Sequence, residues 1–289
     1  MDQKKAVLRT VFIFTAVMAA VTLIYMLLTT IVSNRNKMVI DTDSMKLVQL
    51  EPVKDGDPVA IVETSLGEIR MRLFPEYSPE AVKNFTELAE SGYYDNTYFF
   101  QSESGAYSAA GAKKKDGTMP EGYDKERELV KRELNQDLWP FRGAVVSLTT
   151  TVDRSFTEAL FGGGTYYCGS RFAFVNSIEF TDEVKEQLKS ISSDSEELAE
   201  AFIEKGGVPN FSQQMTVFGQ VYKGLDVVDK LSSLETETNE NSKYKIPKDD
   251  IMIISVEIGE YSDKEDSESS ASAEKNEPAE NRSNDEADS

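Results

Sequence analysis

From Thr10 to Val32 the chain runs for 23 residues without a charge, built largely from Val, Leu, Ile, Phe, Met, Ala and Thr. At about 1.5 Å per residue, a helix of that length outreaches a hydrocarbon core of roughly 30 Å. Such a run divides the chain: a short basic start, a membrane-spanning segment over 10–32, and everything that follows. A cleaved secretory signal is the competing reading, because Lys4, Lys5 and Arg9 precede the run. Signal cores are about 7–15 residues and end at a small-residue site, whereas this run is longer and leads into TTIVSNRNK with no A-x-A pattern. An uncleaved anchor is therefore expected. Lys4, Lys5 and Arg9 on one side outnumber Arg35 and Lys37 on the other, so the positive-inside bias places residues 1–9 in the cytoplasm. The globular part is then expected outside, on a single-pass protein of the cell membrane.

Charge narrows the classes of partner. The chain holds 51 acidic and 31 basic side chains, a net −20. The last 28 residues contain ten acids and three bases, so the remainder still carries −13. Nucleic-acid binding needs a basic footprint, so it is excluded as an expectation. His is absent and Cys168 is the only thiol, which leaves no ligand cluster for a metal and no internal disulfide. Cys168 reads as a small buried residue. No cofactor is expected.

Along the chain, Ser33–Asp57 is polar, contains Pro52 and Gly56, and reads as a tether over 33–57. Val59 and Ile61, then Ile69, Met71 and Leu73, alternate with polar neighbours around Ser65-Leu66-Gly67, the pattern of a hairpin with one buried face. Ser78 stands as an N-cap before Pro79, and Val82, Phe85, Leu88 and Ala89 share a helical face that Gly92 ends. Further strands are expected at Asn96–Phe100, Ala144–Leu148, Arg171–Val175, Met215–Val221 and Ile251–Ile258, with a second helix over Leu225–Leu231. Within an insertion at about 178–206, Val184, Leu188 and Ile191 share one face. Leu198, Ala201 and Phe202 share another, behind a capping-box pattern Ser193-x-x-Glu196. These read as two amphipathic helices packed on the domain, with a partner-docking hairpin as the alternative. The tail, 261–289, has after Tyr261 no apolar side chain larger than Ala except Pro278 and reads as disordered and acidic.

Taken in order, VAIVETSLGEIRMRLF, SPEAVKNFTELAESGYY, DNTYFFQSESGAYSAAG, RGAVVSL, GSRFAFVNS, TVFGQVYKGLDVVDKL and KDDIMIISVEI resemble the cyclophilins, a family of peptidyl-prolyl cis-trans isomerases. The resemblance spans 58–260 and implies a mainly β fold with helices: a closed antiparallel β-barrel capped by two helices, here with the helical insertion. It also implies a chemistry. Rotation about an X-Pro bond meets a barrier of about 18–20 kcal/mol because the amide must lose resonance. In cyclophilins an apolar pocket grips the proline ring while an arginine donates to the proline nitrogen as conjugation is lost, favouring the twisted state.

Carried onto this chain, the resemblance implies an eroded site. Relatives follow the strand phenylalanine with His-Arg; here Phe99 is followed by Phe100 and Gln101, so the arginine position holds an uncharged donor. Pocket positions match Ala106 and Ala173, and the backbone-orienting glutamine matches Ala109. The partner asparagine matches Thr150. The tryptophan position is Asn210, and the pocket histidine position is Met215. Phe99, Phe172, Phe211 and Met215 are expected to supply apolar surface at the substrate pocket, and Arg171, where relatives carry glutamine, reads either as a rim salt-bridge partner of a nearby acid or as a compensating donor. The expected partners are proline-containing segments of secreted or membrane proteins, and the membrane itself; the oligomeric state stays open. Two functions follow: an extracytoplasmic isomerase-family protein with weak or lost turnover and retained peptide binding, or a non-catalytic binding or scaffold module in an envelope assembly.

Overall fold

Pairing and burial together decide which way each strand faces. β1 (Pro58–Thr64) and β2 (Gly67–Leu73) form the expected hairpin, antiparallel from Val59–Arg72 to Thr64–Gly67. Directly opposite residues share a face, and the pairs Ala60–Met71 and Val62–Ile69 are fully buried. The interior face of β1 is thus Ala60 and Val62 while Ile61 is only half-buried, one residue out of step with the alternation read from the sequence. At the turn, Thr64 Oγ1 donates to the Gly67 carbonyl at 2.6 Å and accepts from Leu66 N at 3.1 Å. Gly67 adopts φ +132°, and a Cβ there would press on Val227 at 3.0 Å. This computed structural model describes residues 2–34, 38–118, 129–161, 163–191, 195–238 and 244–264.

The strands that follow are β3 (Thr97–Tyr98), β4 (Gln101–Glu103), β5 (Tyr107–Ala110), β6 (Val130–Lys131), β7 (Ala144–Asp153), β8 (Thr165–Val175), β9 (Thr216–Lys223), β10 (Thr236–Glu237), β11 (Ile246–Pro247) and β12 (Met252–Glu260). Apart from the small β10–β11 pair, they form one antiparallel sheet in the order β3-β12-β1-β2-β9-β7-β8-β5-β4, with β6 on β8. The two ends of that path, β3 and β4, are separated only by Phe99 and Phe100. Phe99 N donates to the Ile251 carbonyl and Phe100 N to the Ala109 carbonyl, each at 2.9 Å. One stretch of chain therefore bonds to both ends of the sheet and curls it into a half-barrel.

Period-two alternation then sorts side chains between two cores. Val145, Phe172, Phe174 and Phe218 point to one face, where α2 (Pro79–Glu90) contributes Phe85 and Leu88. Their neighbours Val146, Ala173, Val175 and Val217 point to the other. Ser78 does precede α2, but its hydroxyl donates to the Val217 carbonyl at 2.7 Å and makes no cap. The orphan amides of the first turn are instead met by a distant carboxylate: Glu133 accepts from Glu80 N at 3.3 Å and Ala81 N at 2.8 Å.

Five further helices are described. α1 (Asp2–Asn34) contains Phe12–Thr30, of mean hydropathy 2.2, long and apolar enough by length and composition to cross a membrane. α3 (Phe156–Phe161) joins β7 to β8; both strands extend well beyond the expected 144–148 and 171–175. α4 (Asp182–Ile191) and α5 (Glu196–Lys205) are the insertion helices, and α6 (Leu225–Ser232) packs Val227, Val228 and Leu231 into the first core. The N-cap of α5 is Ser195; Ser193, the expected capping-box residue, lies outside the described residues, as does most of the acidic tail.

The insertion does pack on the domain. Leu198, Ala201 and Phe202 bury themselves with Trp139 and Phe141 in a third cluster, and Leu188 joins its edge. The segment expected to be a free tether joins too. Ile40, Met45, Leu47 and Leu50 pack on this cluster, while Val48 and Gln49 are buried. Gln49 accepts from Trp139 N and donates to Gln220 Oε1 at 2.9 Å. Asp41 N reaches Gln136 Oε1 at 2.9 Å and Lys46 N reaches Asp137 Oδ1 at 2.7 Å. Residues 40–50 are a strap along the domain.

Candidate functional site

On the face of the sheet away from α2, ladder register brings several of the expected site positions into one row. Gln101 lies opposite Ala109, Ala109 opposite Ala173, Ala173 opposite Val146, and Val146 opposite Val217. Ala109 and Ala173 are fully buried. Ala106, Phe211 and Met215 are half-buried on the same cluster, so Gln101, Ala106, Ala109, Ala173, Phe211 and Met215 share one side of the sheet. Asn210 lies beside them on the short helical turn Pro209–Phe211, exposed, with its carbonyl accepting from Gln214. Thr150 lies further along β7, beyond a bulge, and its buried hydroxyl has no partner.

Two nominated residues are elsewhere. Phe99 stacks on Phe174 at 6.2 Å, and Phe172 packs edge-on to Phe85 at 5.4 Å; both are about 1% exposed in the first core. Phe172 precedes Ala173 on β8 and must face the opposite way, so it holds the barrel together and lines no groove.

Tyr107 dominates the row. It is two residues from Ala109 on β5, hence on the same face. Its hydroxyl accepts from Gln101 Nε2 at 2.6 Å, and its ring meets Phe211 edge-on at 5.3 Å. Gln101 Nε2 also donates to Glu103 Oε1 at 3.2 Å. The Gln101 amide therefore has both of its N–H groups engaged. Burial pushes the Tyr107 hydroxyl up to about 12, with the Glu103 carboxylate adding to the shift, so the phenol is neutral across the physiological range.

Arg171 is held apart from this chain of contacts. Its guanidinium lies 5.7 Å from the centre of the Phe100 ring, and Nη1 donates to the Gly117 carbonyl at 3.2 Å and the Tyr244 hydroxyl at 3.4 Å. Tyr244 packs edge-on against Phe100 at 5.2 Å. Gly117 adopts φ +74°, and a Cβ there would collide with the Phe100 ring at 2.4 Å. Arg171 Nε is buried without an acceptor. Tyr107 and Tyr244 were not among the nominated residues. Strand parity with Ala109 is enough to place Tyr107, whereas nothing local in the sequence brings Tyr244 to Phe100.

Comparison with known proteins bears on this geometry. The sequence pattern of the family described as "Cyclophilin type peptidyl-prolyl cis-trans isomerase/CLD" matches residues 59–159 and 179–258. The chain belongs to the cyclophilin family. Among relatives, it is 29% identical to peptidyl-prolyl cis-trans isomerase 9 of Schizosaccharomyces pombe over 69% of this chain and 25% of that protein. It is 27% identical to a putative peptidyl-prolyl cis-trans isomerase of Staphylococcus saprophyticus over 73% of this chain and 98% of that one. The chain spans only 24–41% of the length of four curated relatives, the fission-yeast protein included. A Cryptosporidium parvum cyclophilin structure superposes with a TM-score of 0.50 at 20% identity, covering 72% of this chain and 99% of that one, which supports the fold. The unmatched stretch of this cyclophilin, 160–178, contains Arg171, Phe172 and Ala173. The placement of Ala173 in the groove thus rests on its pairing with Ala109.

Proposed function

We propose that this protein is a membrane-anchored, extracytoplasmic cyclophilin that holds proline-containing segments of secreted or membrane proteins and isomerises them slowly or not at all. The contact chain Gln101–Tyr107–Phe211 carries this reading. Catalysis of X-Pro rotation requires a donor that strengthens as the amide twists. Gln101 is neutral and already bonded to a tyrosine and a carboxylate, so engaging a proline nitrogen would cost it bonds it now has. An apolar cleft must also accept the ring, and the alanines at 106, 109 and 173 supply little wall. α1 and the short leash behind it support a domain working at a membrane surface.

The full-length protein in a proline-peptide isomerisation assay tests this. Turnover at least about 10²-fold below an intact cyclophilin is expected, because a charged donor and large apolar walls are missing. Turnover within about tenfold would refute it. A second reading, residual catalysis by Arg171, is favoured by its buried Nε–H, which has no acceptor. Under that reading Arg171→Lys abolishes whatever turnover remains. Failure of any proline peptide to bind favours the non-catalytic envelope scaffold.

A further inference from the structure

The β7–β8 hairpin continues past the barrel from Val145–Phe174 out to Asp153–Thr165. α3 closes its tip. Six residues are too few for a helix to persist alone, yet this one is tied down. Ser155 N and Oγ both donate to Glu158 Oε2, at 2.9 and 2.7 Å, Ala159 N reaches the Ser155 carbonyl at 2.9 Å, and Gly163 N reaches the Glu158 carbonyl at 2.8 Å. A braced helix at the end of a long arm presents Phe156, 84% exposed, and Leu160, 53% exposed. Four apart, they lie on one face. Outside α1, only Val39 and Ile254 are comparably exposed large apolar residues among the described residues.

The neighbour of this tip is α1. Between Phe12 and Thr30, Thr29 is the one half-buried residue among the described side chains, which puts the contact at the C-terminal end of the apolar span. The strap reaches the same conclusion independently. From Asn34, where α1 ends, to Asp41, where the strap is bonded to Gln136, the chain spans at most about 25 Å when fully extended. A domain on so short a leash cannot leave the bilayer surface, and the element beside the exit point of the helix is the one with two bare apolar side chains.

We propose that α3 is a second membrane contact, with Phe156 and Leu160 seated in the headgroup region of the bilayer that α1 crosses. The proposal rests on the anchor reading. The occupant is a lipid surface recognised through apolar burial, because a chain of net −20 gains nothing from anionic headgroups. Two contacts rather than one fix the orientation of the domain, and with it the direction in which the Gln101 groove faces.

The experiment uses the full chain, carrying Cys168→Ala, reconstituted in phosphatidylcholine vesicles with and without brominated lipid. An environment-sensitive fluorophore is placed in separate preparations at Phe156→Cys, at Leu160→Cys and, within the span, at Leu23→Cys. Quenching at 156 and 160 of about twofold or more, with shallow bromines more effective than deep ones, is expected for an interfacial helix. It should be unchanged by added salt. Quenching at 23 but not at 156 or 160 overturns the proposal and leaves the anchor standing. No quenching at any position overturns both. Two tip positions are used so that misfolding of one variant does not decide the result.

Discussion

Restoring the donor and clearing the groove together should recover turnover that neither change recovers alone. Gln101→Arg exchanges a neutral hydrogen bond, worth about 0.5–1.5 kcal/mol, for a charged one of about 1.5–3 kcal/mol, a gain of about 1–2 kcal/mol in the twisted state. At about 1.4 kcal/mol per tenfold in rate, that amounts to roughly 5–30-fold in kcat. In the wild-type groove the gain is masked, because a peptide must first displace the Tyr107 ring from Phe211 and its hydroxyl from the residue at 101. Those contacts are worth about 0.5–1.5 kcal/mol each. Tyr107→Ala removes that cost, so the double variant should rise about 10²-fold in kcat/KM, more than the product of the single effects. The assay is cis/trans isomerisation of a proline tetrapeptide, with thermal melts confirming that each variant is folded. A folded double variant no more active than wild type would refute the claim that these two residues set the deficit.

The strap and insertion should be one cooperative unit: Phe202→Ala opens a cavity in the third cluster costing about 3–5 kcal/mol, and the melting temperature of this roughly 200-residue domain should fall by about 6–20 °C. Glu133→Ala strips the first turn of α2 of its carboxylate partner and should cost about 0.5–2 kcal/mol, as loss of a side-chain cap does, read by urea unfolding. Stability at high pH should depend on Tyr107. Its folded value near 12 lies above the ordinary one, so the folded state keeps this proton longer than the unfolded chain, and the contribution, full below about pH 10, is lost as pH rises towards 12. Tyr107→Phe should flatten that slope in an alkaline denaturation series, and an unchanged slope would show the phenol to be unperturbed.

The order of strands and helices was legible because their signals are local. The alternation through Ile69, Met71 and Leu73, Pro79 at the head of α2, and the apolar stripe of α6 are each complete within a dozen residues. What went unread depends on long-range pairing. Ala60 and Val62 face inward because they lie opposite Met71 and Ile69, while Val59, itself buried, makes the other parity look equally good in the sequence. The strap looked like a linker because its apolar residues have no regular period; they dock singly onto the third cluster. Glu133 caps a helix that starts more than fifty residues earlier in the chain. In the groove, Gln101, Ala109 and Ala173 could be aligned from sequence because the motifs around them survive; Phe172 goes to the first core by its parity with Ala173, and Phe99 does so because the chain leaves the strand between β3 and β4, so the parity it shares with Gln101 does not hold.

That parity also explains how a barrel can persist while residues on one of its faces change. On β8, Phe172 and Phe174 face the first core: Phe172 meets Phe85, Tyr94, Phe174 and Phe218 at 5.3–6.4 Å, and Phe174 stacks on Phe99 at 6.2 Å. Ala173 between them faces the groove. Losing an aromatic from the first set would cost about 3–5 kcal/mol, a large part of the stability of a domain. Ala109 and Ala173 in the second set bury far less apolar area than those rings, so exchanging them removes less. Substitutions on the groove face therefore escape the constraint that holds the core face. The same strands can preserve a cyclophilin barrel while residues on the groove face change one at a time. Tyr107 is in keeping with the proposed function: its ring covers Phe211 and its hydroxyl satisfies Gln101, contacts that a bound peptide has to displace.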